Sequence, residues 1–592
     1  LRVRPSTSLA AAAFILIACS GSVPAADPDA GDTDPDAGPG DPLDDFFGLE
    51  LHDIRIQLDP DAVDDLIAAP REYTHGAIEI DDAAFEDVGV RLKGGAGSFV
   101  PWGGDYPEIS GDGNGNPGKS AFIVDFNHWV KGVDLMGLEK LTMNNLVQDP
   151  TCVHEYLGYT LFRESGIPAS RSGFAIVTVN GEEKGIYALV ETPDNDEFLE
   201  AHFGSDDGNL YEGEYGTDFS GETIDGWDQD NGDDESRADL IAVAAALDGI
   251  GDDEDPMPTL EDHFDMEGYA AFAAAEIFLG HWDGYAQSAN NFAVYHNPED
   301  GMWTFLPWGL DQLFEHEGPY AGIMTDPGPV WESGGRIQRL CFRSAECRAL
   351  LAEAFEDLFQ TIAEIGYAQT AQAALDLVGD QAMLEATAHG DPELTEVTMA
   401  RVLDRIDTRP EEISGWLPCL TGGSIDHDED SFDGCTSDCD DLNPERHPGA
   451  EEMCNFVDDD CNGVIDDPTE CPKCMEEGDL SYCFEALSWA DAEQACVDLG
   501  RHLASIHSDQ EQESAVWPMV EMFGAWESWI GLNDIDAEGD FAWTDGTALD
   551  FEPWIGGTPW SETPECDCVV NSPEGWRDVP CEEPRSFVCG GP

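Results

Sequence analysis

Basic residues are scarce in this chain. Its 592 residues carry 25 Lys+Arg against 125 Asp+Glu, a formal net charge of −100. With no basic footprint to neutralise a phosphate backbone, a nucleic-acid partner is excluded. Long apolar runs are scarce as well. After the N-terminal stretch "LAAAAFILIA" (9–18) no segment is apolar enough to read as a membrane-spanning helix. Cysteine is sparse through the first four hundred residues and crowds together from Cys419 onward. That crowding implies an oxidising compartment and disulfide-stapled C-terminal modules.

What is present starts with an export signal. Arg2 and Arg4 precede the short apolar run, which ends at Cys19, and the run reads as a signal h-region. "LIAC" (16–19) is similar to a bacterial lipobox, which implies cleavage before Cys19 and lipid on its sulfur; an ordinary secretory signal is the alternative. Residues 1–19 are thus expected to be a lipoprotein signal peptide. Residues 20–45, "SGSVPAADPDAGDTDPDAGPGDPLD" and its neighbour, carry Asp, Pro, Ala and Gly with little to bury and read as a disordered linker. The expected location is secreted, lipid-anchored at the bacterial outer membrane or cell surface, with the membrane touched only through the anchor.

From about residue 50 the pattern becomes that of a folded domain. "IRIQL", "VGVRLK" and "AFIVDF" alternate as strands. "CVHEYLGYTLFRESG" (152–166) has helical spacing of Val153, Tyr156, Leu157 and Leu161, with Gly166 as its stop. "FAIVTVNGEEKGIYALVE" (174–191) is a hairpin turning at Asn180-Gly181. Helices are expected at 236–248, 265–280, 346–366 and 395–414, with short strands "FAVYH" and "WTFL" between them. A strand-rich front half and a helical back half make one α+β unit of two lobes. It spans residues 46–418. An Asp/Cys tract (424–472) and an aromatic, cysteine-punctuated module (474–592) complete a multidomain chain.

The blocks "VRLKGGAG", "GKSAFIVDFN", "LTMNNLVQDPTCVHEYLGYTLFRESGIPASR", "VTVNGEEKGIYALVE", "GNLYEG", "HWDGYAQSANNFAVYH" and "FLPWGLDQLF" stand in the order found in the CotH family, and the first domain resembles it over roughly residues 50–415. CotH proteins are spore-coat-associated and secreted atypical protein kinases. The resemblance implies a two-lobed, protein-kinase-like fold that transfers the γ-phosphoryl of ATP, with Mg²⁺ or Mn²⁺, to Ser/Thr of an extracytoplasmic protein substrate. Phosphoryl transfer asks for cations on the phosphates, oxygen ligands for the metal and a carboxylate near the attacking hydroxyl. Lys119 leads into the "SAFIVDF" strand and suits a phosphate-contacting lysine, and Glu155 on the next helix is its expected partner. Gly94, Gly95 and Gly97 of "KGGAGS" (93–98) allow backbone amides to approach phosphates. Glu191 falls where a hinge would contact adenine. Asp283, flanked by Trp282 and Tyr285, is the candidate catalytic base. Asn291, with Asn290 as the alternative, and Asp311 are candidate metal ligands. Many CotH sequences read "PWD" where this one has Pro307-Trp308-Gly309. A pseudokinase that serves as a surface adhesin or binding protein is therefore the alternative function.

In the tract, "DHDEDSFDGCTSDCDDLNPERHPGAEEMCNFVDDDCNGVIDD" (426–467) sets Asp426, Asp428 and Asp430 at alternate positions, a spacing that supplies the many oxygens Ca²⁺ needs. Asp438, Asp440, Asp441, Asp458, Asp460 and Asp466 are further candidate Ca²⁺ ligands. "DCDD", "PGAEE" and "DDDCNGVIDD" are similar to a metal-binding motif of secreted proteins. Cys435, Cys439, Cys454 and Cys461 fit disulfides better than zinc in that compartment. Cys341 and Cys347 are close enough in sequence for a small disulfide.

Finally, "SYCFEALSWADAEQACVDLGRHLASIHSDQEQ", "WIGLND", "FAWTDGTALDFEPW", "CVVNSPEGWRDVPC" and "FVC" resemble a C-type lectin-like domain of α+β fold. The resemblance implies bridges Cys496–Cys589 and Cys568–Cys581, with Cys474–Cys483 closing an N-terminal hairpin, and a glycan or protein ligand. Sugar-binding members hold Ca²⁺ through an EPN-like triplet and an Asn-Asp pair. Here those positions read Thr558-Pro559-Trp560 and Trp576-Arg577-Asp578, so a Ca²⁺-independent or protein-binding surface is expected.

Overall fold

The computed structural model describes residues 41–94, 98–102, 119–213, 216–232, 236–251, 254–314, 334–389 and 391–426, short stretches between 428 and 461, and most of 474–590. Cys19, Gly95, Gly97, Asp438, Asp440, Asp441, Asp458 and Asp466 lie outside the described residues. Among those described, no helix is long and apolar enough to cross a membrane.

Seven strands open the first domain: β1 (Leu51–Gln57), β2 (Thr74–Ile80), β3 (Ala83–Lys93), β4 (Ala121–Asp125), β5 (Lys140–Asn144), β6 (Ser172–Val179) and β7 (Glu182–Glu191). β1 pairs antiparallel with β2 and parallel with β6, which closes the sheet into a barrel in the order β1-β2-β3-β4-β5-β7-β6. Sequence alternation locates these strands but not the closure, because β1 and β6 meet across more than a hundred residues. The barrel interior is filled by Ile54, Ile56, Ile78, Val88, Val90, Leu92, Val124, Met143, Val177 and Leu189. With side chains alternating along each strand, β6 and β7 send Phe174, Ile186, Ala188 and Val190 the other way, into the core of the helical half. The hairpin between them turns where expected, with Asn180 at φ 51° and Gly181 at φ 82°.

A second sheet, β8 (Asn209–Gly213), β9 (Trp227–Asn231), β10 (Phe292–His296) and β11 (Trp303–Pro307), runs β11-β10-β8-β9. Beside it lies the helix Met266–Leu279, buried around most of its circumference and capped by Asp265, whose side chain accepts from Gly268 N–H, and by Gly280 at φ 65°. The helices Ala345–Glu364 and Pro392–Leu420 pack on it. A further helix, Tyr367–His389, was not expected from sequence. Its buried face is Tyr367, Ala371, Ala374, Val378 and Ala382. Alanines at helical spacing carry too little hydrophobic signal to mark a core face.

That helix docks on the barrel through Glu385. Its Oε2 takes Lys119 Nζ at 2.6 Å and its Oε1 takes Ile186 N–H at 2.6 Å. Gly185, at φ 97°, makes room, since a Cβ there would sit 2.1 Å from Glu385 Oε1.

The disulfides Cys341–Cys347, Cys474–Cys483, Cys496–Cys589 and Cys568–Cys581 form as expected. Cys435 pairs outside the tract, with Cys419. In the C-terminal module Trp529, Ile530 and Leu532 are fully buried core.

Candidate active site

The chain leaves the helix Met266–Leu279 through Gly280 and enters the loop His281–Gly284. Glu276, one turn from the helix end and 1% exposed, holds that loop from beneath. Its Oε1 accepts from Tyr285 N–H at 3.1 Å and its Oε2 from Ala286 N–H at 2.7 Å, and His281 Nδ1 lies 3.2 Å from Oε1. Tyr285 turns into the core and donates its hydroxyl to Asp218 at 3.0 Å. Asp283 is therefore not wedged between aromatics, because Tyr285 points away from it. Its carboxylate is clamped by amides, Asn290 Nδ2 on one oxygen and Asn291 Nδ2 on the other, each at 2.9 Å. Ala289 and Asn291 both take positive φ, 48° and 46°, a strained turn of the kind found where side chains are aimed rather than packed.

Asp283, Asn290 and Asn291 line one cleft of about 1000 Å³ with Asp311 and Glu155. The barrel supplies one wall and β8–β11 the other. Asp311 follows β11, and its backbone carbonyl accepts from His154 Nδ1 at 2.8 Å. Burial pushes the Asp311 carboxyl up to about 6; Lys93 opposes this and Asp149 adds to it. Burial, with Asp311 next in weight, pushes Glu155 up to about 8, again against Lys93. Glu155 is 2% exposed. One of its oxygens accepts from Asn144 Nδ2 at 2.6 Å, and among the described residues Oε2 has no hydrogen-bond partner. A desolvated carboxylate with an unpartnered oxygen beside a cleft is costly unless something binds it.

Three expectations need correction. Lys119 does not line the cleft, and it pairs with Glu385 rather than Glu155. The lysine beside Glu155 is Lys93, at the end of β3, whose Nζ donates to Asn144 Oδ1 at 3.0 Å, so that one asparagine bridges lysine and glutamate. Glu191 does not line the cleft, although Thr192 and Pro193 directly after it do. It is buried against Arg171, which donates to both of its oxygens at 2.8 and 3.1 Å. Gly94 does line the cleft. Lys93, Arg91 and Arg71 were missed, although "VRLK" alternates inward Val90 and Leu92 with outward Arg91 and Lys93, a period-2 signal that places both cations on one face.

Gly309 has a local reason. It stands at φ 60°, and a Cβ there would meet Asn291 Cγ and Oδ1 at 2.7 Å. An aspartate at this position and the observed Asn291 rotamer exclude each other.

Comparison with known proteins agrees with this order of parts. Residues 108–370 match the CotH kinase protein family, 438–467 a metal-binding motif family, and 485–590 the C-type lectin domain family. The chain contains a CotH kinase protein domain, a metal-binding motif and a C-type lectin domain, in that order. Its lectin domain is 33% identical to the galactose-specific lectin nattectin of Thalassophryne nattereri over 127 residues, 20% of this chain and 80% of that protein. It is 35% identical to echinoidin of Heliocidaris crassispina over 130 residues, 19% of this chain and 88% of that one. A solved calcium-independent type II antifreeze protein is 29% identical, covering 20% of this chain and 90% of its own, with a TM-score of 0.18. In this lectin domain Arg577 is turned to Glu527, which Arg585 also contacts.

One further group among the described residues could hold metal. In the tract, Asp426, Asp428 and Asp430 each offer a carboxylate oxygen, and these oxygens lie within 4.8 Å of one another. Cys461 is disulfide-bonded, so it is no zinc ligand.

Proposed function

We propose that the CotH domain is a two-lobed, kinase-like phosphotransferase. It passes the γ-phosphoryl of ATP to a Ser/Thr hydroxyl of an extracytoplasmic protein. The observation that carries this reading is the cleft itself: Arg71, Arg91 and Lys93 line it together with Glu155, Asp283 and Asp311, and among the described residues Glu155 Oε2 is buried without a hydrogen-bond partner. The oxygen donors Glu155, Asp311 and Asn291 suit a hard divalent ion such as Mg²⁺ or Mn²⁺. When bound, such an ion neutralises triphosphate charge and orients it. Asp283, its carboxylate fixed by two asparagine amides, is the base that accepts the hydroxyl proton. The chain's disulfides support an extracytoplasmic setting, with anchoring through Cys19. The lectin domain then directs the enzyme to a glycan or protein ligand without Ca²⁺, because Arg577 occupies a position where an oxygen ligand would be needed.

Gly309 favours a second reading, a non-catalytic surface binding protein whose CotH domain has lost a metal carboxylate. One assay decides. Full-length protein incubated with γ-labelled ATP and Mg²⁺ or Mn²⁺ incorporates label into itself or an added basic protein, and Asp283→Ala lowers this at least about 100-fold. Equal incorporation by the variant, or none by the wild type, removes the enzymatic reading.

A further inference from the structure

Three element ends meet at one asparagine of the cleft. Lys93 is the last residue of β3, Asn144 the last of β5, and Glu155 sits in the first turn of the helix His154–Glu164. All three line the cleft. Lys93 acts electrostatically on Glu155, Glu212 and Asp311. Among the described residues, however, its ammonium hydrogen-bonds to none of them. It donates to Asn144 Oδ1 at 3.0 Å and lies 4.9 Å from the centroid of the Trp308 ring. The other end of the same amide, Nδ2, donates to Glu155 Oε1 at 2.6 Å. A direct ion pair would satisfy both charged groups, since a buried charge left unpaired is costly. Here a neutral side chain stands between them instead. The amide has one orientation that serves both, because only its oxygen accepts from an ammonium and only its nitrogen donates to a carboxyl oxygen. Its backbone is pinned as well. The neighbouring Asn145, 3% exposed, donates through Nδ2 to the carbonyls of Lys119 at 2.8 Å and Ser98 at 3.1 Å. What the arrangement leaves over is Glu155 Oε2, buried and, among the described residues, without a hydrogen-bond partner.

We infer that Asn144 is a positioning residue, a spacer that keeps Lys93 off Glu155 and so holds the Glu155 carboxyl open to a divalent cation. The inference rests on the phosphotransferase reading and adds to it the group that stops a cation of the protein itself from occupying a metal ligand. Without the spacer, Lys93 takes Glu155 directly and competes with the metal for the same oxygens.

The test reads the rise in melting temperature that Mn²⁺ alone gives the full chain, taken as the excess over Glu155→Gln so that carboxylates elsewhere in the molecule drop out. Asn144→Ala lowers the apparent Mn²⁺ affinity behind this excess at least about tenfold. Its melting temperature without metal equals that of the wild type or exceeds it, because Lys93 and Glu155 now pair. Asn144→Ala/Lys93→Met brings the Mn²⁺ response back toward wild type, since the competitor is gone. A purely structural asparagine behaves otherwise: its loss lowers the metal-free melting temperature, and removing Lys93 restores nothing. A wild-type Mn²⁺ response in Asn144→Ala overturns the inference. So do a loss that the second substitution does not reverse and a wild type with no excess over Glu155→Gln. If Asn144→Ala does not fold, Asn144→Ser, too short to bridge both groups, carries the same comparison. The expected Mn²⁺ pattern in a chain that moves no phosphate from ATP leaves the spacer standing and removes the kinase reading.

Discussion

Glu155 is the residue with most at stake in the cleft. Its carboxyl sits at about 8 in the folded chain, raised by burial and by Asp311, against an ordinary value near 4.5. The sign follows from linkage: the folded form holds a proton that the unfolded form has lost, so this contribution is complete below about pH 4.5 and disappears as pH rises through about 8. Glu155→Gln keeps the shape and the Asn144 contact but removes the titration. The variant, free of metal and nucleotide, melts at the same temperature as wild type at about pH 5 and higher at about pH 8.5. The gain is about 1 kcal/mol or more, about 2–4 °C. Added Mn²⁺ raises the wild-type melting temperature and leaves the variant behind. A variant less stable than wild type at the higher pH shows that Glu155 has a cation partner in the fold and is not held open for a ligand. The asymmetry is that of a functional group, whose stability cost is recovered only on binding.

At the scale of elements, the loop carrying Asp283 stands on one carboxylate, Glu276, reaching out of the helix that precedes it. Glu276→Ala leaves the N–H groups of Tyr285 and Ala286 buried without an acceptor. That costs about 2–4 kcal/mol in urea unfolding and lowers any phosphotransfer more than the stability loss explains, because Asp283 is no longer held. Glu276→Gln, which keeps an acceptor oxygen, restores part of both. Most elements were legible in the sequence. The helix His154–Glu164 and the hairpin at Asn180-Gly181 follow from apolar spacing and turn chemistry, and Asp283, Asn291 and Asp311 fall in one cleft. What was not legible depends on partners distant in the chain. Lys119 looks like a phosphate lysine from its place before a strand, yet its partner Glu385 lies 266 residues away on a helix whose alanine face hides it. Lys93 stands beside glycines whose own signal is for backbone amides, and its side chain's role depends on Asn144 and Glu155 far along the chain. Glu191 reads as a nucleotide contact from its place at a hairpin end, yet its side chain is taken by Arg171. Charges are placed by tertiary pairing, and a local pattern records only which face they start from.

For the whole molecule the net charge of −100 sets the conditions of stability. Self-repulsion on this scale weakens the compact state at low ionic strength, and salt screens it. Melting temperatures therefore rise as NaCl is added from low concentration and level off once the screening length falls below the spacing of surface carboxylates, about 8 Å at physiological salt. Calcium should do more than screen. The Asp426–Asp430 loop is joined to the CotH domain at both ends, by the disulfide Cys419–Cys435 and by Ile425, which packs into the helical core. A cation held by Asp426, Asp428 and Asp430 then stabilises the end of the helix Pro392–Leu420 as well as the loop. At matched ionic strength, CaCl₂ raises the melting temperature above that reached with NaCl, by about 2.7 kcal/mol of linkage when calcium stands at 100 times its dissociation constant. Asp428→Asn/Asp430→Asn removes that excess and keeps the NaCl response. Equal curves for the two salts in the wild type would reduce the triad to surface charge. An excess that survives the double substitution would move the calcium to another part of the chain. The distinction is physical: screening depends on how many charges the chain carries, whereas binding depends on three oxygens lying within 4.8 Å of one another.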